Sequence, residues 1–142
     1  MNIKAGQRND GLQSRNIFKS PQEEELYFAA KETLPNHILL PNTALSTIIN
    51  ESICQLLDKN VANFFWKSTL DLCIVNPETF IPELFIELDS SWHDKPKNQI
   101  NDKKKDSIFM QAGLTLFRLR KKQNRTMIEE FELFIKEKIT TR

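Results

Sequence analysis

The residues best suited to chemistry are acids in a setting with no structural use for them. Two short runs, Leu70-Asp71-Leu72-Cys73-Ile74-Val75 and Glu83-Leu84-Phe85-Ile86-Glu87-Leu88-Asp89, are rich in strand-favouring residues. The connector from Asn76 to Pro82 carries turn chemistry, so the pair predicts a β-hairpin. Side chains alternate faces along a strand, which makes the pairing parity decidable. If Leu70, Leu72 and Ile74 share an apolar face with Leu84, Ile86 and Leu88, then Asp71 shares the opposite face with Glu87 and Asp89. A register that sets Asp71 opposite Glu87 places their Cβ atoms roughly 5 Å apart. A hydrophobic core gains nothing from three carboxylates there; a divalent cation would.

Other residues could complete such a site. Lys105, Ile108, Phe109 and Ala112 stand at i, i+3, i+4 and i+7, on one helical face, so Lys105 lies at the end of a buried stripe while Lys103 and Lys104 point elsewhere. A lysine directed inward needs a partner, and the carboxylate hairpin offers one. Glu23 reads first as the acid of a helix cap and second as a further carboxylate for the site. His93 follows the second strand in a polar loop. Arg118 interrupts an apolar run and requires a carboxylate or a phosphate.

Several elements must position these groups. Ser20-Pro21-Gln22-Glu23 is a capping box with proline at the first helical position, predicting a helix to about Thr33 or Leu34 with Leu26, Ala29, Ala30 and Leu34 inward. His37 to Leu40 predicts a short strand ended by Pro41, with His37 an ordinary polar edge residue. Leu45, Ile48, Ile49, Ile53 and Leu56 predict a helix capped by Asn42 or Thr43. Phe64-Phe65-Trp66 reads as the possible start of the strand containing Asp71, its aromatics belonging to the core. Asn101 or Asp102 is expected to cap a helix reaching Ala112, with Gly113 as its stop, which would put Lys103 to Lys105 in the first turn against the helix dipole. Leu114 to Leu119 is apolar on both faces, as expected of an interior strand covered on two sides. Thr126 and Glu129 form a second capping box, opening a final helix with Ile128, Phe131, Ile135 and Ile139 inward.

Composition bounds the function classes. A chain of 142 residues, 39% hydrophobic and 27% charged, is an ordinary globular domain. We divide it into a flexible polar arm, 1–19, whose Lys4, Arg8, Arg15 and Lys19 could touch phosphate, and a single domain, 20–142. The net charge of +1 hides an asymmetry: twelve acids and three Lys/Arg from Ser20 to Asp94, then ten Lys/Arg and two acids from Lys95 to Arg125. The second block could hold a polyanion, although uneven charge is often only a solvated face. Cys54 and Cys73 lack metal-ligand spacing and read as core thiols of a reduced, cytoplasmic compartment. No apolar run is long enough for a membrane span, and three glycines argue against a glycine-rich phosphate loop.

With Asp71-Leu72-Cys73-Ile74, then Ile86-Glu87-Leu88-Asp89-Ser90-Ser91-Trp92-His93, Asp102-Lys103-Lys104-Lys105-Asp106 and Ala112-Gly113-Leu114-Thr115-Leu116-Phe117-Arg118, the chain resembles the PD-(D/E)XK restriction-endonuclease-like superfamily. The likeness runs from roughly Ser20 to Leu119 and is nearest to the branch of very-short-patch-repair-type endonucleases and a related uncharacterised bacterial domain family. It implies an α/β restriction-endonuclease-like core, α-β-β-β-α-β, with a central mixed sheet flanked by helices. It also implies Mg²⁺-dependent hydrolysis of DNA phosphodiester bonds, Mn²⁺ being the alternative ion, in repair, restriction or mobile-element defence. Asp71, Glu87 and the Leu88 carbonyl would be the metal ligands. Asp89 stands where the superfamily usually has lysine, and Lys105 would restore the missing cation. Asp71, Glu87, Asp89, Lys105, His93 and Glu23 are then the catalytic candidates, with Lys103, Lys104, Arg118 and Arg120 for nucleic acid. The expected assembly is a homodimer or a subunit of a larger defence or repair complex. The competing expectation is a nuclease-like subunit without catalysis that binds DNA or protein.

Overall fold

The computed structural model describes residues 13–89, 96–120 and 125–139. The expected arm up to Leu12 and the loop holding His93 lie outside these residues, as does the side chain of Ile139. The first helix, α1 (Pro21–Thr33), starts at the expected cap: Ser20 Oγ accepts from the Glu23 N–H at 3.2 Å, with Pro21 at the first helical position, while the Glu23 carboxylate accepts from the Lys19 N–H and so leaves the expected box half closed. Leu26, Ala29 and Ala30 are its buried residues.

Strand β1 (Ile38–Ala44) runs through Pro41 instead of ending there, because it lies at the edge of the described sheet, where a missing ladder N–H is tolerated. Asn42 follows with φ of 45°, a left-handed conformation that asparagine accepts more readily than most residues. The helix expected from Thr43 is replaced by one turn, α2 (Leu45–Ile48), preceded by Ala44, and a separate 3₁₀ segment, Glu51–Leu56. Leu45, Ile49 and Ile53 are still buried. Thr47-Ile48-Ile49 is a β-branched run, and Asn50 uses its own side chain to accept from the Ser52 N–H, so the backbone leaves the helix between them. Phe64-Phe65-Trp66 is helical, not strand: Asp58 accepts from the Val61 N–H and caps α3 (Lys59–Lys67), which buries Phe65.

The two acidic strands pair antiparallel as β2 (Thr69–Val75) and β3 (Pro82–Leu88), with Leu72 opposite Ile86, Cys73 opposite Phe85 and Ile74 opposite Leu84. Asn76 secures their turn by accepting from the N–H groups of Glu78 and Thr79. Helix α4 (Pro96–Ala112) begins before Asn101, with proline again at the start, so Lys103 to Lys105 lie mid-helix and do not oppose its dipole. Gly113 N–H to Met110 O and Leu114 N–H to Phe109 O close it as a Schellman motif, for which Gly113 takes φ of +70°. Because Leu114 serves that cap, β4 (Leu116–Leu119) is shorter than expected; it runs parallel to β3 as the last strand of the described sheet, and it is covered on two sides as expected, Phe117 and Leu119 packing against one core and Leu116 against the other. The reciprocal Thr126–Glu129 cap opens α5 (Met127–Ile139), which buries Met127, Phe131, Phe134 and Ile135.

The result is a mixed α/β fold around a four-stranded sheet of order β1-β2-β3-β4, antiparallel except for β3 and β4. Helices α1 and α5 pack on one face over Leu72, Ile74, Leu84, Ile86 and Leu88. The opposite core joins Cys73, Val75 and Phe85 to Leu45, Phe65, Ile108 and Phe109. Leu70, expected with Leu72 and Ile74, belongs to this second core, at the strand end beside the turn of backbone at Asn42. Among the described residues no helix is long and apolar enough to cross a membrane.

Candidate functional site

Continuing the β2–β3 register one residue beyond Leu72 and Ile86 sets Asp71 against Glu87, as strand parity requires. Here the two carboxylates take the place of ladder acceptors. The Asp71 N–H donates to Glu87 Oε1 at 3.2 Å, and the Leu88 N–H donates to Asp71 Oδ2 at 2.7 Å. Each acid is therefore fixed by the backbone of the other strand.

Glu87 is only 3% exposed, a burial that requires compensation. Lys105 supplies it from α4: Nζ lies 3.0 Å from Glu87 Oε1 and 2.8 Å from the Thr69 carbonyl oxygen. The side chains of Lys105 and Glu87 are 12% and 5% exposed, so this ion pair is largely removed from solvent. Asp71 is the acid left over. Burial first, and then the charge of Glu87, push its carboxyl up to about 7; the Leu88 N–H and Lys105 act in the other direction, and Glu23 adds to the rise. Near neutral pH the Asp71 carboxyl is therefore poised to hold a proton.

Not all the expected residues gather here. Glu23 Oε1 accepts from Asn42 Nδ2 at 2.8 Å and from the Lys19 N–H at 3.3 Å, so it acts on Asp71 through its field while serving the start of α1. Asp89 lies past the end of β3, where its N–H donates to Leu119 O and its carboxylate sits 3.5 Å from Arg120 Nε. Arg118 faces Asp106 at 2.8 Å and Asp102 at 3.4 Å. Burial opposes its charge, but Asp106, Asp102 and Glu87 outweigh that and raise its pKa. Both arginines thus have carboxylate partners. Lys103 is exposed and Lys104 stands 5.7 Å over the Phe64 ring. At Leu88 the recorded contact with the acids is through its N–H. Among the described residues, no group of three His, Cys, Asp or Glu side chains could hold a metal ion.

Beside the pair opens a cleft of about 350 Å³, lined among others by Glu87, Lys105, Thr69, Phe64, Lys67 and Lys19. A separate recess of about 300 Å³, lined by Ile48, Ile53, Leu56 and Leu114 among others, has no titratable lining residue. Sequence reasoning missed Asn42, whose Nδ2 binds Glu23 and the Ile17 carbonyl; its one signal was an asparagine directly after proline at a strand end. Lys67 was missed as well, because it looked like an ordinary basic helix end.

Residues 14–136 match the family described as Protein of unknown function (DUF2726). The chain belongs to that family. The match spans every described element up to Lys136 in α5, and with them Asp71, Glu87 and Lys105. No curated protein and no solved structure matches the chain.

Proposed function

We propose that this DUF2726 domain is a divalent-metal-dependent endonuclease that hydrolyses DNA phosphodiester bonds, on a restriction-endonuclease-like core with one helical insertion after its first strand. The observation that carries the reading is the convergence of Asp71, Glu87 and Lys105 from two paired strands and a helix, with Glu87 and Lys105 lining one cleft. The element order supports it: helix, strand, strand, strand, helix, strand, once α2, the 3₁₀ segment and α3 are set aside.

The residues present fit Mg²⁺ or Mn²⁺ in their chemistry. Oδ1 of Asp71 and Oε2 of Glu87 make no hydrogen bond to a described residue, and hard anionic oxygens suit these ions. Magnesium often binds through one or two carboxylates, with water and substrate phosphate completing its shell, so a third acid is not required. Bound there, the ion would offset phosphate charge and lower the pKa of a coordinated water. Lys105 spends two of its three N–H donors on Thr69 and Glu87, leaving one for a phosphate oxygen or the attacking water. Glu87 in turn holds that ammonium in place.

The competing reading is a non-catalytic DNA-binding or protein-interaction subunit. It is favoured by the neutralisation of Glu87 by Lys105 and by the pairing of Asp89 with Arg120. Incubation with plasmid and single-stranded DNA in Mg²⁺, Mn²⁺ or EDTA separates the two. The nuclease reading expects cleavage in either metal, none in EDTA and none by Asp71→Asn. DNA binding without cleavage in any metal would favour the non-catalytic reading.

A further inference from the structure

The cleft beside Glu87 has more positive charge than its own acids require. Its lining holds three ammonium groups, from Lys19, Lys67 and Lys105, and two carboxylates, from Glu87 and Asp102. Glu87 is matched by Lys105, and Asp102 by Arg118. Arg118 is shared with Asp106, so the lining itself carries a surplus of one positive charge, and Lys19 and Lys67, both exposed, are the two of its lysines that make no ion pair with a described residue.

These two lysines reach the cleft from separate segments. Lys19 immediately precedes the Ser20 cap of α1, and its N–H is tied to Glu23. That tether, the Asn42 bond to the Ile17 carbonyl and the packing of Phe18 on Tyr27 place it on the body of the domain and not on a loose arm. Lys67 ends α3, three residues after Phe64, so the two share a helical face. Phe64 also lines the cleft, and Lys104 of α4 stands over its ring. Lysine at a helix C-terminus is ordinarily explained by the dipole, but the dipole does not require it to line the same cleft as Lys19.

We propose that Lys19 and Lys67 are phosphate-binding residues, which hold the phosphodiester backbone of a nucleic acid in the cleft beside Asp71 and Glu87. The inference rests on the nuclease reading for the purpose of that cleft, and it replaces Arg118 and Arg120 as the main backbone contacts. Their guanidinium groups are engaged by acids, whereas an unmatched ammonium releases the counterions of the phosphate it meets.

The test is binding of a fluorescein-labelled DNA oligonucleotide, single-stranded or duplex, followed by anisotropy in EDTA between about 50 and 200 mM salt. Relative to wild type, K19A/K67A is expected to bind about tenfold or more weakly, and its salt slope to fall by about 1.4 on single strands or 1.8 on duplex. K31A, which removes a lysine of α1 that does not line the cleft, is expected to keep the wild-type slope. Both lysines of the double variant are exposed, and an unchanged melting temperature checks that it folds. An unchanged slope in K19A/K67A, a slope change no larger than that of K31A, or no DNA binding by wild type would each overturn the proposal. Cleavage is scored separately. Wild type that binds with the expected loss in K19A/K67A but cuts nothing refutes the nuclease reading and leaves these contacts standing; cleavage with an unchanged slope does the reverse.

Discussion

Replacing Lys105 by methionine keeps most of the aliphatic stem that crosses from α4 to the sheet and deletes its charge. Glu87, with a side chain 5% exposed, then loses its cation at 3.0 Å, and the Thr69 carbonyl loses a donor. Breaking a buried pair by removing one partner typically costs about 3–5 kcal/mol, because the other charge stays buried. Lys105 is not completely enclosed, so we expect the lower end, about 3 kcal/mol. Glu87→Gln should cost less, roughly 1–2 kcal/mol, since the amide oxygen still accepts from the Asp71 N–H and like-charge repulsion on Asp71 is removed. The double variant has no charge left to strand, so the cycle should show a coupling of about 2 kcal/mol. Urea unfolding at neutral pH without divalent ions measures all four proteins, and equal slopes with denaturant would validate the comparison. Additive single losses, or Lys105→Met within about 0.5 kcal/mol of wild type, would refute the reasoning and reduce the contact to a screened surface pair.

The Asp71 carboxyl, raised from 3.8 to about 7, makes the folded state the stronger proton binder between those values, so its contribution to stability should fall as pH rises through that window. Asp71→Asn should flatten this dependence and be more stable than wild type at pH about 8; unfolding at both ends of the window measures it. Asp71→Ala should be worse than Asn by about 1–3 kcal/mol, because the Leu88 N–H loses its acceptor, a cost that repulsion between the acids alone would not suggest. Mg²⁺ should raise the melting temperature of wild type, by the equivalent of about 2.7 kcal/mol at a hundredfold excess over Kd, and have much less effect on Asp71→Asn or Glu87→Gln. Lys105→Ala should keep part of that metal response while losing roughly two to four powers of ten in turnover, measured by plasmid nicking. Gly113→Ala should cost about 1–2 kcal/mol in thermal unfolding, since φ is +70° there while no atom lies within 4 Å of an added Cβ.

The pairing of the two acids was legible in the sequence because it depends on local periodicity. Alternation along two strands decides that Asp71 and Glu87 share a face, and helical spacing sends Lys105 inward with Ile108 and Phe109. The caps of α1 and α5 were equally readable, being bonds between residues three apart, although only Thr126 and Glu129 close the full reciprocal box, Glu23 accepting instead from the Lys19 N–H. Sheet order was not legible: Pro41 can continue β1 because that strand lies at an edge of the described sheet, and the apolar faces of the 114–119 run show that β4 is covered on two sides without showing where in the sheet it stands. Nor was the nature of Phe64-Phe65-Trp66, since an unbroken aromatic run has no period and Asp58 shows itself as a cap only once the helix exists. The fates of the other charges belong to tertiary structure alone. Asp89 meets Arg120, Arg118 meets Asp102 and Asp106, and Lys67 meets the cleft through the packing of separate elements. Local spacing determines which face a side chain takes; only the assembled sheet and helices determine which charge waits there.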